Sequence, residues 1–75
     1  MIDLHGYTIH TAWLAFNVAI DNAYYAGQRS VVVVTGQGAM MREFETWCRN
    51  HPKVREVKQH EHNPGSWSVK LKKKK

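Results

Sequence analysis

The sequence predicts an α/β protein of the α+β type, a two-layer sandwich in which two helices cover one face of a mixed four-stranded sheet. Segments with strand and helix patterns alternate in the order β-α-β-α-β-β, which favours a parallel core with right-handed crossovers. The last two strand segments are joined by a short turn, which predicts an antiparallel hairpin. The chain has 75 residues, of which 43% are hydrophobic, enough for one packed domain. We expect this domain to span residues 1–71, followed by a basic tail over residues 72–75.

The first half of the chain is predicted to form a strand, a long helix and a second strand. The opening MIDL alternates polar and apolar positions, as a short strand does. The helix pattern covers residues 8–27, with Thr8 as the N-cap and Gly27 at the end. Its inward face is predicted to comprise Ile9, Trp13, Phe16, Ile20, Ala23 and Tyr24. Residues 30–35, SVVVVT, are so uniformly apolar that we expect a fully buried central strand.

The second half is predicted to form an amphipathic helix followed by a hairpin. The helix pattern begins after the glycines of GQGAMMREFETWCRNH and ends before Pro52. KVREVKQ and WSVKL are strand patterns, separated by a turn that contains Asn63, Pro64 and Gly65. A small domain needs large apolar side chains, so we expect all three tryptophans in the core: Trp13, Trp47 and Trp67.

The positive charge of the chain is concentrated at its end. The formal net charge is +5, but without Lys72–Lys75 seven basic residues face six acidic ones, a balance of +1. A short lysine run is typical of a solvated terminus. It also fits a flexible arm in which Lys72 and Lys73 bind phosphates without sequence specificity.

Composition also indicates the cellular setting. No apolar run approaches 18 residues, and the acid at position 3 does not fit a signal peptide. Cys48 is alone, which excludes an internal disulfide and fits a reducing compartment. We therefore expect a cytoplasmic domain that does not bind membranes.

Three polar segments follow the three predicted parallel strands. Asp3, His5 and Gly6 follow the first strand, and residues 35–38, TGQG, follow the second. If the third strand is also parallel, residues 60–63 lie at the same edge, where ligands of parallel sheets gather. The second helix starts there too, and its free N–H groups attract anions.

The TGQG segment has two interpretations. Glycines after a strand allow close approach of a ligand, but they also occur in tight strand-to-helix connections. The segment lacks the third glycine of a dinucleotide fingerprint, since position 41 is Met, and no Walker Gly-Lys-Ser/Thr follows. We therefore expect no nucleotide cofactor.

The motifs together resemble those of the Smr (small MutS-related) domain. IDLHG at the start matches the family's Leu-Asp-Leu-His-Gly motif apart from Ile2, and Thr35, Gly36 and Gly38 match its Thr/His-Gly-x-Gly motif. The resemblance covers residues 2–71. It implies a fold like that of the C-terminal domain of bacterial translation initiation factor three, and endonuclease activity on DNA or RNA. Smr domains occur alone or fused to larger proteins.

The motif residues suggest specific roles in phosphodiester cleavage. A histidine can transfer protons at neutral pH, so His5 is the predicted acid or base, with Asp3 orienting it. The alternative is that this pair only closes the strand through a turn hydrogen bond. The residues predicted to contact nucleic acid or phosphate are Gly6, Thr35, Gly36, Gln37, Gly38, Arg42, His62, Lys72 and Lys73. Tyr7 could stack on a base or pack in the core.

Metal chemistry is possible but not indicated by the sequence. His60 and His62, with Asp3 or Glu61, could form a ligand set, although H-x-H in a polar turn is more often solvent-exposed. Few carboxylates can reach the predicted edge, so a metal-free acid/base route fits better. That route favours RNA slightly, because the 2′-hydroxyl is a built-in nucleophile. The alternative function is a non-catalytic module that binds nucleic acid or recruits a larger assembly.

Overall fold

The alternating sequence pattern produces six elements in the predicted order. The structure, a computed structural model, describes residues 1–73. Its elements are β1 (Ile2–Asp3), α1 (Ile9–Tyr25), β2 (Ser30–Val34), α2 (Ala39–Asn50), β3 (Val54–Gln59) and β4 (Ser66–Leu71). Lys74 and Lys75 of the predicted tail lie outside the described residues. Within residues 1–73, no helix combines the length and apolar character needed to cross a membrane.

The four strands form one mixed sheet in the order β1-β2-β4-β3. β1 pairs parallel with β2, whereas β4 pairs antiparallel with both β2 and β3. β3 therefore runs in the same direction as β1 and β2, although β4 separates it from β2. The carboxyl ends of β1, β2 and β3 lie at one end of the sheet, which we call the rim. The opposite end of the sheet, where β4 ends, is called the far end.

Helix α1 begins and ends where the sequence predicts. The Thr8 side chain accepts a hydrogen bond from the backbone N–H of Thr11 at 3.2 Å. At the other end, Gln28 N–H donates to the Ala23 carbonyl and Gly27 N–H donates to the carbonyl of residue 24. This pair of bonds is the Schellman arrangement that terminates helices at glycine.

Both helices bury one side against the same face of the sheet. Phe16 of α1 meets Phe44 of α2 edge to face, with ring centroids 5.2 Å apart. Trp67 of β4 packs beside Phe44 at 5.1 Å, which confirms its predicted core position. The core comprises Leu4, Ala12, Phe16, Ile20, Ala23, Val33, Met40, Phe44, Cys48, Val54, Trp67, Val69 and Leu71. The predicted fold class is confirmed.

Two residues predicted to face inward on α1 do not. Trp13 is 42% exposed and Ile9 is 44% exposed, so their assignment to the core was wrong. The buried side of α1 is centred on Ala12, Phe16 and Ile20. Trp13 lies at the border of that side, where it lines a cavity together with Trp47, and Trp47 is half-buried against the core.

The valine run of β2 is buried on one face only. Val33 is fully buried, but Val32 is 37% exposed, so the prediction of a strand buried on both faces was wrong. The reason is that both helices cover one face, and residues along a strand alternate between faces. The other face, which we call the open face, carries Val32, Glu56, Lys58, Ser68 and Lys70.

Candidate nucleic-acid site

The IDLHG motif forms a tight turn between β1 and α1. Leu4 enters the core, and its N–H still donates to the Val34 carbonyl at 2.8 Å. The Asp3 carboxylate accepts a hydrogen bond from the backbone N–H of His5 at 2.9 Å. The turn closes with a bond from residue 7 to the Leu4 carbonyl, and Gly6 has φ +89°. A positive φ at the third position of such a turn favours glycine.

The loop after β2 is bound to the start of β4. The backbone N–H groups of Thr35 and Gly36 both donate to the Gly65 carbonyl, at 2.7 and 3.2 Å. The Thr35 hydroxyl accepts from the Trp67 indole N–H at 3.1 Å and lies within donating distance of the Gly65 carbonyl. Because this hydroxyl is engaged in the interior, Thr35 supports the loop from within. The hydroxyl already has hydrogen-bond partners in the interior, and the contact of Thr35 with phosphate stays a prediction.

Gly65 is the rim residue that the sequence analysis missed. A Cβ at this position would lie 2.8 Å from the carbonyl carbon of Gly36. The only sequence signal was a glycine after Pro64 in the hairpin, which we interpreted as a turn residue. Its role depends on a contact with a loop about thirty positions earlier, which local sequence does not reveal.

His5 lies against the glycine loop. Its ring atom Cδ2 is 3.1 Å from the position that a Cβ on Gly36 would occupy. Gly36 also has φ +74°, a left-handed conformation that side chains disfavour. A glycine at position 36 thus permits both the loop turn and the position of the imidazole. Among residues 1–73, neither ring nitrogen of His5 has a hydrogen-bond partner, so both are available to a ligand.

A groove of about 350 Å³ separates the two motif loops, and it is lined by residues 5–9 and 35–40. Gly38 is the N-cap of α2 and provides no side-chain hydrogen bond, so the first N–H groups of that helix lack a side-chain cap. Together with the helix dipole, such groups favour an anion. Tyr7 is 49% exposed and lines the groove, which supports the interpretation that it lies at the rim rather than in the core.

The other predicted site residues lie outside the groove. Asp3 is bonded to the backbone of His5 instead of its ring. Arg42 is exposed on α2, two residues after Met40 at the end of the groove lining, and His62 is exposed in the hairpin turn. Lys72 and Lys73 follow β4, so they lie at the far end, away from the rim. The structure therefore unites His5 and Gly6 with residues 35–38, but leaves these five residues elsewhere.

The histidines of the hairpin are not gathered into a metal-ligand cluster. His60 Nε2 lies 2.7 Å from the Ser68 hydroxyl, and His62 is exposed. Within the described part of the chain, no three side chains of His, Cys, Asp or Glu are grouped so that they could hold a metal ion.

Two titratable groups with altered pKa values lie in the helical layer. Burial lowers the pKa of His51, whose Nδ1 accepts the backbone N–H of Lys53 at 3.1 Å; the nearby carboxylate of Asp21 opposes this shift. Burial, with a smaller contribution from Glu45, raises the pKa of the Cys48 thiol to about 12. At neutral pH this thiol is protonated, so Cys48 is a core side chain and not a nucleophile.

Comparison with known proteins identifies the family of this chain. The family model of the Smr domain matches residues 2–72. The chain belongs to the Smr domain family. Smr domains are linked to nuclease and nucleic-acid-binding roles. The segments of residues 2–6 and 35–38, which resemble the Smr motifs, lie within this matched range and border the groove.

Solved Smr structures share this fold. The Smr domain of Thermus thermophilus MutS2 superposes with a TM-score of 0.88 at 22% identity, covering 95% of each chain. YdaL, a stand-alone small MutS-related protein from Escherichia coli, superposes with a TM-score of 0.82 at 18% identity. That match covers 96% of this chain but 63% of YdaL. Among curated proteins, none matches the sequence.

Proposed function

We propose that this Smr domain is a small endonuclease that binds nucleic acid in the groove and cleaves phosphodiester bonds by proton transfer at His5. The observation that carries the proposal is the position of the His5 ring, against Gly36 and in the same groove as the uncapped start of α2. An imidazole changes protonation near neutral pH and can therefore both accept and donate a proton. The helix N–H groups supply hydrogen bonds for a phosphate oxygen.

RNA suits this arrangement somewhat better than DNA. In the proposed reaction, His5 accepts the proton of the ribose 2′-hydroxyl, and the 2′-oxygen attacks the phosphorus atom. The bond from phosphorus to the 5′-oxygen breaks, and the leaving oxygen takes a proton from the medium. The products are a 2′,3′-cyclic phosphate and a 5′-hydroxyl end. The charge that develops on the non-bridging oxygens is stabilised by the N–H groups at the start of α2.

Asp3 is proposed as a positioning residue in this reaction. Its carboxylate holds the backbone N–H of His5 at 2.9 Å and thereby fixes the turn from which the imidazole projects. Arg42 is proposed to contact a phosphate outside the groove, because it is exposed on α2 just beyond the groove lining. Tyr7 lines the groove in the same segment as His5 and is suited to stacking on an unpaired base.

A binding module without turnover is the second candidate function. It is favoured by the hydrogen bond of Asp3, because the carboxylate that could assist His5 is bonded to the backbone instead. In that case the groove holds nucleic acid for a larger assembly, and the DLHG residues serve the turn. The two candidates differ in whether the phosphodiester bond is cleaved, not in where the nucleic acid binds.

The decisive experiment compares wild type with His5→Ala, Asp3→Ala and Asp3→Asn. Each protein is incubated with labelled single-stranded RNA, single-stranded DNA, and nicked and branched duplexes, with and without EDTA. We expect His5→Ala to lower cleavage by about 10²–10⁴-fold while binding is retained. Asp3→Asn should keep most of the cleavage rate, because its amide oxygen can accept the same hydrogen bond from the His5 N–H. Asp3→Ala removes this acceptor and should lower the cleavage rate.

Three outcomes test the proposed activity and the roles of His5 and Asp3. Cleavage by His5→Ala at the wild-type rate would remove His5 from the mechanism. Binding without cleavage by any of the proteins would establish the module. The loss of activity in Asp3→Asn would show that the Asp3 charge takes part directly, and the EDTA samples report any need for a divalent metal.

A further inference from the structure

The far end of the sheet gathers cations that the groove lacks. Arg29 precedes β2, Arg55 lies in β3, and Lys70 and Lys73 lie in and after β4. These four side chains line a cavity of about 360 Å³. The remaining lining residues are Ser30 and Leu71, so among residues 1–73 no carboxylate lines the cavity. We call these four residues the basic cluster.

The backbone holds the basic cluster in place. Leu71 N–H donates to the Arg29 carbonyl at 2.8 Å, and Lys72 N–H donates to the Lys53 carbonyl at 2.9 Å. The register of β3 against β4 shifts between Val54 and Glu56, which makes Arg55 the extra residue of a β-bulge. Bulges of this kind redirect a side chain away from the regular alternation of a strand. Here the redirected side chain is that of Arg55, which lines the cavity.

The acid that pairs with the basic cluster, Glu56, is weakly held. Glu56 lies 3.5 Å from the Lys70 ammonium, and both side chains are more than half exposed, at 57% and 59%. An exposed pair of this kind contributes little free energy, so a phosphate can replace the carboxylate as the partner of Lys70. The cavity therefore remains a site for an anion.

The open face connects the basic cluster with the rim. From Ser30 to Gly36 the chain advances six residues, which at about 3.3 Å per residue separates the two ends by about 20 Å. Lys58 and the Ser68 side chain lie between them on this face. The helical layer offers a poorer path, because α2 exposes Glu43 and Glu45 there.

We propose that the basic cluster is a second phosphate-binding site, which holds the backbone of the same nucleic acid that the groove binds. This proposal rests on the nucleic-acid binding proposed for the groove. A strand seated at the rim then continues over the open face to the far end. The near-neutral charge of residues 1–71 conceals this site, because Arg29, Arg55 and Lys70 lie together while most of the acids lie elsewhere. Lys72 and Lys73 contribute to phosphate binding at the far end, and not at the rim.

The test uses single-charge variants in a His5→Ala background, in which the nucleic acid stays intact. Arg29→Gln and Arg55→Gln remove one charge each from the basic cluster. Arg49→Gln is the matched control, because Arg49 is exposed on α2 and pairs with Glu45. Binding is measured over a salt series for single strands of about 4 to 16 nucleotides, the range of common site sizes. Gly38→Asp, which places a carboxylate at the groove, reports the rim separately.

We expect Arg29→Gln and Arg55→Gln each to flatten the plot of log K against log salt by about one unit. The loss should affect long strands and spare strands too short to span both sites. If both variants match Arg49→Gln at every length, the basic cluster does not contact nucleic acid. If they instead lose binding to phosphatidylserine vesicles alone, the ligand is a lipid surface and the proposal is overturned.

The results distinguish an error in the proposed groove site from an error in the proposed second site. Loss of binding in Gly38→Asp with none in the basic-cluster variants would overturn the second site alone. Loss in the basic-cluster variants with none in Gly38→Asp would overturn the groove. The absence of any nucleic-acid binding by the parent protein would overturn both.

Discussion

Gly65 and Gly36 meet backbone against backbone at the rim. A Cβ on Gly65 would lie 2.8 Å from the Gly36 carbonyl carbon and 2.9 Å from its Cα. The Gly65 carbonyl also accepts the N–H groups of Gly36 and its neighbour Thr35. The turn before β4 therefore sets the position of the glycine loop, and this loop contacts His5.

Gly65→Ala should destabilise the protein and displace the glycine loop. A methyl group has no space at this contact, and overpacking of this kind typically lowers the free energy of unfolding by about 1–3 kcal/mol. Wild type is the reference, and urea denaturation of the variant and of wild type measures the difference. Equal stability would show that the hairpin and the loop are not held together.

Thr35→Val should destabilise the protein more than Thr35→Ser. Valine removes the acceptor of the Trp67 indole N–H, and a buried donor left without a partner lowers the free energy of unfolding by about 1–3 kcal/mol. Serine retains the hydroxyl and loses one methyl group. Urea denaturation compares the two, and the hydrogen bond is unimportant if the valine variant is as stable as the serine variant.

A series at Gly38 tests whether the start of α2 binds phosphate. Gly38→Asp and Gly38→Asn both provide an N-cap, so each should maintain or raise stability relative to glycine. The asparagine side chain accepts a hydrogen bond from the first turn of the helix and carries no charge. The aspartate side chain accepts the same bond, and its negative charge also repels a phosphate. We expect the affinity for nucleic acid to be highest in Gly38→Ala, lower in Gly38→Asn and lowest in Gly38→Asp, as measured by fluorescence anisotropy. Unchanged affinity across the series would place the ligand away from this helix.

The buried His51 should make stability depend on pH. Its folded-state pKa is lowered, so the folded protein binds fewer protons there than the unfolded chain. The stabilisation is complete above the unfolded pKa of about 6.5 and is lost as the pH falls through the folded value. Protonation also places an N–H where Nδ1 now accepts from Lys53.

His51→Asn provides the comparison for this pH dependence. Its amide oxygen can accept the same hydrogen bond but does not titrate. The free energy of unfolding of the variant should fall less steeply than that of wild type below about pH 7. Urea denaturation over a pH series measures both slopes. Parallel slopes would mean that other groups cause the pH dependence.

Local sequence patterns predicted most of the fold. The Thr8 cap, the Gly27 stop and the break at Pro52 depend on residues within one helical turn, and each lies where the sequence indicates. The motifs at residues 2–6 and 35–38 also predicted that two loops meet at one edge. That prediction follows from parallel strand direction, which β1 and β2 confirm.

Side-chain environments were predicted less well, because they depend on which neighbours cover each face. The valine run indicates a strand but not the number of layers, so Val32 was assigned to the interior and lies on the open face. Trp13 is apolar enough for a core, yet it lies at the border of the buried side of α1. In the turn, only the tertiary structure shows that Asp3 bonds to the backbone of His5 and not to its ring.

The sequence by itself determined the elements, their order and the two motif loops, since helix caps, turn residues and strand alternation act over a few neighbouring residues. Tertiary structure alone decided the contacts between distant segments. Gly65 meets Gly36 because the hairpin folds back onto the second loop. Arg29, Arg55, Lys70 and Lys73 come together because β4 inserts between β2 and β3 and places their ends side by side. Strand order is a property of the whole sheet, so no local pattern encodes these contacts.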